Sequence, residues 1–516
     1  MTAEHTLPTE LIVQVLSYLA KPQLAVCRLT CKAFDAEIRP RFYRTISWDI
    51  AITRGGDPLA DRTYAAGAHA QELTVSIRFS GYTVGPTVQR LLRETPIVSP
   101  ADDPIARLDA TYSDETARAM IPDTLQGVLL NAISLSHFLR TFPENLPNLQ
   151  SCRSDYINSL GPYGPLLLEG LAKLPLFKSL SIYSDSPLKY PLPLHLFSTL
   201  ESITLYGMSG PFLNFLLRNV PILLERNPNL TSMSIGHPNG DAHLGEMVEL
   251  LEMLVPTYAS TIRKPLKELK ILGFGVTVQP QSIAQFRHLT SLELRSYPNP
   301  RIRSSHDTLL AGLEAENIHL RHLTIDSVST ALISYLTSYR GLTSLTILGA
   351  LASGHLVNTN LLADQFHSQV LPRHALTLTQ LSIKAKLGTR WCFGEHNADA
   401  FAQCVTLQDL KVTLLFPDNF SEKGEFIIFV LQSAGRLPSL RKLEVHFLGV
   451  GKARRIPTNN DLVIDQWVAI MDRALVDEIR QMGFCHPHRY PQEVVLDGET
   501  FVWLDSMSGG HQYVRI

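Results

Sequence analysis

Residues 320–347 read LRHLTIDSVSTALISYLTSYRGLTSLTI. One pattern opens this stretch as Leu320-x-x-Leu323-x-Ile325 and closes it as Leu342-x-x-Leu345-x-Ile347, 22 residues further on. The last two apolar residues of each copy alternate as strand residues do, so both point to one side and their neighbours to the other. The first leucine stands just before the strand and closes the turn beneath it.

Outward from this stretch the pattern recurs along the chain. Earlier copies begin at Phe177, Leu200, Leu230, Leu266 and Leu289, and later ones at Leu378, Leu407 and Leu440. Their first positions lie 22 to 36 residues apart, around and beyond the roughly 20 to 29 usual for leucine-rich repeats. Apolar stretches such as Phe212-Leu213-x-Phe215-Leu216-Leu217 and Met247-Val248-x-Leu250-Leu251-x-x-Leu254 lie between them and predict helices. Strand on one side and helix on the other, stacked, predicts a curved horseshoe-like α/β solenoid. Regular repeats often carry Asn or Cys eight residues after the first leucine. Here Asp185, Met208, Pro238, Phe274 and Tyr297 occupy that position, so an irregular array without that side-chain ladder is expected.

The ends of the array are less regular. Residues 68–75, AHAQELTV, predict an early strand, and Asn148-Leu149-x-x-Cys152 a degenerate repeat. Residues 93–123, rich in proline and with acids at Asp102-Asp103 and Asp114-Glu115, predict a long excursion. Residues 461–482 predict a helix, and Glu493 to Leu504 a hairpin turning at Asp497-Gly498. Residues 461–516 would then cap the last repeat.

The opening residues carry a different pattern. Leu11, Ile12, Val15, Leu16 and Leu19 form one helical stripe, entered through Pro8 and broken at Pro22. Leu24, Cys27, Cys31, Phe34 and Ile38 form a second, ended by Pro40. The ordered set Leu7-Pro8-x-Glu10-Leu11-Ile12-x-x-Val15-Leu16-x-x-Leu19, Leu24, and Arg28-Leu29-x-Cys31-Lys32-x-Phe34 resembles the F-box. Phe42-Tyr43-x-x-Ile46 extends the likeness to fungal-type members with leucine-rich repeats. Gln23 departs from it, standing where an acidic residue often precedes the second-helix leucine.

The resemblance implies a helical F-box over 1–48, and the repeat pattern then assigns the solenoid to 49–460 and the cap to 461–516. It also implies docking on the Skp-type adaptor of a cullin-RING ubiquitin ligase through Leu7, Pro8, Leu11, Ile12, Val15 and Leu16. The chain would be the substrate receptor of such an SCF complex, linked through the adaptor to a cullin. The alternative is a non-catalytic scaffold that uses its F-box outside any ligase.

Composition fits that expectation. The 516 residues are 45% hydrophobic and 18% charged, a folded profile too long for one compact core. The 46 Lys and Arg against 48 Asp and Glu leave no basic footprint for nucleic acid. No apolar run reaches the roughly 18 residues of a membrane span. The six cysteines lack the dense spacing of a disulfide framework, which points to cytoplasm or nucleus.

No motif predicts catalysis, a cofactor or a metal. Gly449-Val450-Gly451-Lys452 resembles a phosphate-binding loop, but Ala453 replaces the magnesium-binding hydroxyl. Cys485-His486-Pro487-His488 lacks a second ligand pair for zinc, and Cys27 and Cys31 belong to an apolar stripe. Neither Gly-x-Ser-x-Gly nor His-Glu-x-x-His occurs. A target protein is instead expected on the concave strand face, at Tyr183, Tyr206, Lys270, Arg295, Lys384 and Lys411. Asp326, Glu444 and His446 share that face, with hydroxyls at Ser181, Thr204, Ser234, Thr324, Thr346 and Ser382. Its lysines and arginine suggest an acidic or phosphorylated partner.

Overall fold

The computed structural model describes residues 45–51, 72–78, 139, 141–155, 157, 163–184, 191–207, 219–236, 247–248, 266–273, 275–276, 283–295, 300–349, 356–385, 389–415, 423–448, 491–496, 499–505 and 511–515. The chain divides into two compact units. Unit 1 is Met1–Asn239 with Thr257–Lys264, and unit 2 is Gly240–Pro256 with Pro265–Ile516.

Unit 1 holds β1 (Thr45–Ala51), β2 (Glu72–Arg78), β3 (Ser151–Asp155), α1 (Tyr163–Ala172), β4 (Ser179–Ser184), β5 (Ser202–Gly207) and β6 (Ser232–Gly236). The strands lie side by side in chain order, all parallel. Thr45, Glu72, Ser151, Ser179, Ser202 and Ser232 form one register row. The expected early strand is therefore β2, and the degenerate repeat at Leu149 supplies β3. The inward residues behind these rows are buried at Cys152, Leu180, Ile182, Ile203, Leu205, Met233 and Ile235.

Unit 2 begins with β7 (Met247–Val248), β8 (Glu268–Leu272), β9 (Gly275–Val276) and β10 (Ser291–Arg295). It continues with α2 (Pro300–Ala315), β11 (His322–Ile325), α3 (Thr330–Ser338), β12 (Ser344–Ile347), α4 (Leu356–Gln365), α5 (Leu371–His374), β13 (Gln380–Ile383) and α6 (Glu395–Ala402). The last elements are β14 (Asp409–Leu415), α7 (Lys423–Gly435), β15 (Lys442–Leu448), β16 (Glu493–Leu496), β17 (Glu499–Asp505) and β18 (His511–Arg515). From β8 through β16 the main strands are parallel neighbours, and β17 and β18 add antiparallel. Leu496 faces Glu499 across residues 497–498, the hairpin expected there. Parallel strands joined by helices, repeated in register, make a solenoid-like array in each unit.

One helix expectation fails. Met247 and Val248, read as the start of a helix, form β7 and pair parallel with β9. Gly273, at φ 77°, turns the chain out of β8 in a conformation that side chains disfavour, and β9 follows as an edge that β7 can join. The stretches at 212–217, 93–123 and 461–482 lie outside the described residues.

Backbone chemistry sets the register. In most repeats the carbonyl one residue after the first apolar position receives two N–H groups from the next repeat. Glu201 O accepts from Thr231 and Ser232 at 2.9 and 3.1 Å, and Arg321 O from Thr343 and Ser344 at 2.8 and 3.0 Å. Thr343 O likewise accepts from Thr379 and Gln380, and Thr379 O from Gln408 and Asp409. Threonines strengthen these rungs: the hydroxyls of Thr231, Thr290, Thr343 and Thr379 donate to the same carbonyls, on Glu201, Lys267, Arg321 and Thr343.

Connections vary while the rungs repeat. Between β12 and β13 the helix is α-helical through α4, π-helical over Phe366–Val370, and α-helical again in α5. Pro372 inside it lacks an N–H and crowds the carbonyl four residues back; the wider turn accommodates that conflict. The loop before α6 seals this helix, with Trp391 buried against Phe366 and its Nε1 donating to Thr359 O at 3.0 Å. Asn397 ties the same loop down, donating to Cys392 O and accepting the Gly394 N–H, both at 3.0 Å.

Candidate functional site

Alternation along each strand puts every second side chain on the outward face. In unit 1, Tyr183 on β4 and Tyr206 on β5 are register partners, half-buried, with rings edge to face and centroids 5.1 Å apart. The Arg153 guanidinium from β3 lies 4.7 Å from the Tyr183 ring centre, a cation–π stack. Beside them Ser181 and Thr204 are half-buried. Ser234 differs from expectation: it is buried, with only 5% of its surface exposed.

In unit 2 one row runs Lys270, Glu293, Thr324, Thr346, Ser382, Lys411 and Glu444 in strict register. Three uncharged hydroxyl residues thus occupy its centre, with charges on either side. The predicted cationic residues mostly have carboxylate partners within this face. Lys270 pairs with Glu268 at 3.0 Å, Arg295 with Glu293 at 2.5 Å, and Lys411 with Glu444 at 2.5 Å. His446 bonds the other Glu444 oxygen at 2.9 Å, and Lys442 pairs with Glu493. Burial tends to raise the Glu444 carboxyl, but Lys411 and His446 outweigh it and hold it below its ordinary range. The hydrogen bond to Glu493 raises Lys442. Lys384, exposed just after β13, makes no ion pair among the described residues.

These pairs bear on the expectation, drawn from its lysines and arginine, of an acidic or phosphorylated partner. Acids two residues before Lys270 and Arg295, and one strand away from Lys411, cancel the charge that was to attract an acidic partner. The Glu293 and Glu444 side chains are only 16% exposed, but their cationic partners reach solvent, so each pair contributes on the order of 1 kcal/mol and its main effect is on the field that a partner meets. The six predicted target-binding residues also fall in both units: Tyr183 and Tyr206 in unit 1, Lys270, Arg295, Lys384 and Lys411 in unit 2. Among the described residues no His, Cys, Asp and Glu group is arranged to hold a metal ion.

The predicted adaptor contacts Leu7, Pro8, Leu11, Ile12, Val15 and Leu16 lie outside the described residues. Further along the chain, Ile46 on β1 shares a register row with Leu73 and Cys152.

Comparison with known proteins adds one finding. No curated protein matches the chain. Residues 5–47 match the family model described as F-box-like, overlapping the start of β1. The chain therefore carries an F-box-like domain directly ahead of its parallel strand array.

Proposed function

We propose that this chain is the substrate-recognition subunit of an SCF-type cullin-RING ubiquitin ligase. The observation that carries this reading is the F-box-like match over residues 5–47, because F-box domains generally bind Skp-type adaptors. In this reading Leu7, Pro8, Leu11, Ile12, Val15 and Leu16 meet the adaptor, and a cullin joins through it. The array beyond the F-box is of the leucine-rich-repeat type of fungal F-box proteins. It holds a target protein on its outward strand face for modification by the ligase, in cytoplasm or nucleus, and performs no catalysis itself.

Adaptor binding tests the reading. Leu11→Asp together with Leu16→Asp puts unpaired charges where an apolar interface is required, so co-purification with adaptor and cullin should be lost while the array stays folded. Undiminished recovery of both partners by the double variant would reject the assignment. For the target, Arg295→Glu with Lys384→Glu should weaken capture and leave adaptor recovery unchanged.

A further inference from the structure

In most repeats the N–H of the first apolar residue closes a tight turn within its own segment. Leu230 donates to Asn227 O, Leu289 to Phe286 O, Leu378 to His374 O and Leu407 to Cys404 O. At Leu200, Leu320 and Leu342 a side chain from further along the chain takes this N–H instead. Asn227 Oδ1 accepts the Leu200 N–H at 2.8 Å while its Nδ2 donates to Phe197 O at 3.0 Å. The Tyr335 hydroxyl accepts from Leu320 at 3.2 Å and donates to Ile318 O at 2.8 Å.

At Leu342 the bridging residue is His374. Its Nδ1 accepts the Leu342 N–H at 3.3 Å, which fixes the proton on Nε2, and Nε2–H donates to Leu336 O at 2.9 Å. Leu336 stands in the last turn of α3, where carbonyls have no helical N–H to accept. The three bridges do one job with three chemistries, and of the three groups only the imidazole gains a charge on acidification.

We propose that His374 is an acid-sensitive latch between consecutive repeats of unit 2. Neutral, it ties the end of α3 to the segment that enters β12. Protonated, it presents two N–H groups where the bridge needs one N–H and one lone pair, and the tie to Leu342 is lost.

The surroundings do not welcome the proton. Tyr335 belongs to α3, and the Tyr339 ring just beyond it lies 5.2 Å from the imidazole. Arg373, next to His374 on α5, is itself positive and bonds Tyr339 O through Nε. The π segment contributes a second buried histidine, His367. On α6, Glu395 and His396 are exposed and Asp399 is paired with Arg436. Burial pushes the His374 imidazole down to about 4, against the opposing bond to Leu336 O, with Arg373 adding in the same direction. A depressed value in the folded state means that the latch holds fully above pH 6.5 and weakens as pH falls towards 4.

Amide-resolved native-state hydrogen exchange on the full chain, corrected for intrinsic rates, tests this at pH 7.5 and 5.0. The Leu342 N–H should lose protection about 30-fold by linkage. The Leu320 N–H, held by Tyr335, should not follow. His374→Asn, which keeps an acceptor near the Nδ1 position and cannot titrate, should remove the pH dependence at Leu342. With the other buried imidazole of this helix removed by His367→Asn in every sample, parallel loss at Leu320 and Leu342, or pH dependence that survives in His374→Asn, would overturn the latch. Should the His374 variant fail to fold, the comparison of the two amides with His374 in place still decides.

Discussion

Tyr335→Phe removes one oxygen and almost no volume, so its effect isolates the bridge that the hydroxyl makes. Both partners are backbone groups of the segment entering β11, the Leu320 N–H and the Ile318 carbonyl. The side chains of Ile318 and Leu320 are both buried, and water cannot readily replace the lost partner. An unsatisfied buried donor costs about 1–3 kcal/mol. The carbonyl loses a donor as well, and a phenyl ring fills the site without a cavity. A loss of about 2–3 kcal/mol is therefore expected, well above the ~0.5 kcal/mol of an exposed substitution. Ser334→Ala is the control one residue away, since Ser334 donates only to the exposed Glu314 carboxylate. Because repeat arrays can unfold in stages, urea titration should be paired with hydrogen exchange of residues 318–325. If Tyr335→Phe matched Ser334→Ala in both measurements, the bridge would not be the fastening described.

Other expectations rest on single sites. Leu292→Ala and Leu345→Ala, at inward positions about 1% exposed, should each lose about 2–5 kcal/mol; unchanged thermal midpoints for both would refute the inward register. Gly341 has φ 108° and open space around an added Cβ. Gly341→Ala should therefore lose about 1–3 kcal/mol through backbone strain alone, and equal urea midpoints would contradict this. Burial, with lesser help from His396, pushes His367 down to about 4, so its neutral form stabilises the fold above pH 6.5 and that contribution fades as pH falls. Between pH 7 and 5 the stability advantage of the natural protein over His367→Asn should shrink by about 2 kcal/mol; a difference independent of pH would count against it.

The inward rows were legible because burial leaves a period-two signature that each strand repeats, from Leu180 and Ile182 to Leu443 and Val445. The rungs were partly legible as well. Leu230-Thr231, Leu289-Thr290, Leu342-Thr343 and Leu378-Thr379 repeat a dipeptide whose hydroxyl proves to reach the preceding repeat. The bridges were not. Asn227, Tyr335 and His374 differ in chemistry and in distance from the leucine that they serve, so no pattern connects them until the backbone is placed. Charge showed the same divide. Glu268 with Lys270 and Glu293 with Arg295 are two apart on one strand and predictable from alternation, whereas Lys411 with Glu444 needs the β14–β15 register. Met247 and Val248 fit a helical stripe by composition, but pairing with β9 decided their conformation.

The doubly accepting carbonyl that begins each rung has a consequence for how such a chain can change length. It engages only the next repeat, so no rung depends on how many others exist. Excision from one such carbonyl to the equivalent point in the following repeat, Arg321 to Thr343 for example, rejoins like to like and leaves the rung amides that follow with a carbonyl to accept them. A cut ending elsewhere strands two amides. Duplication and loss in whole modules, with free drift in the lengths between, is the history that this bonding permits.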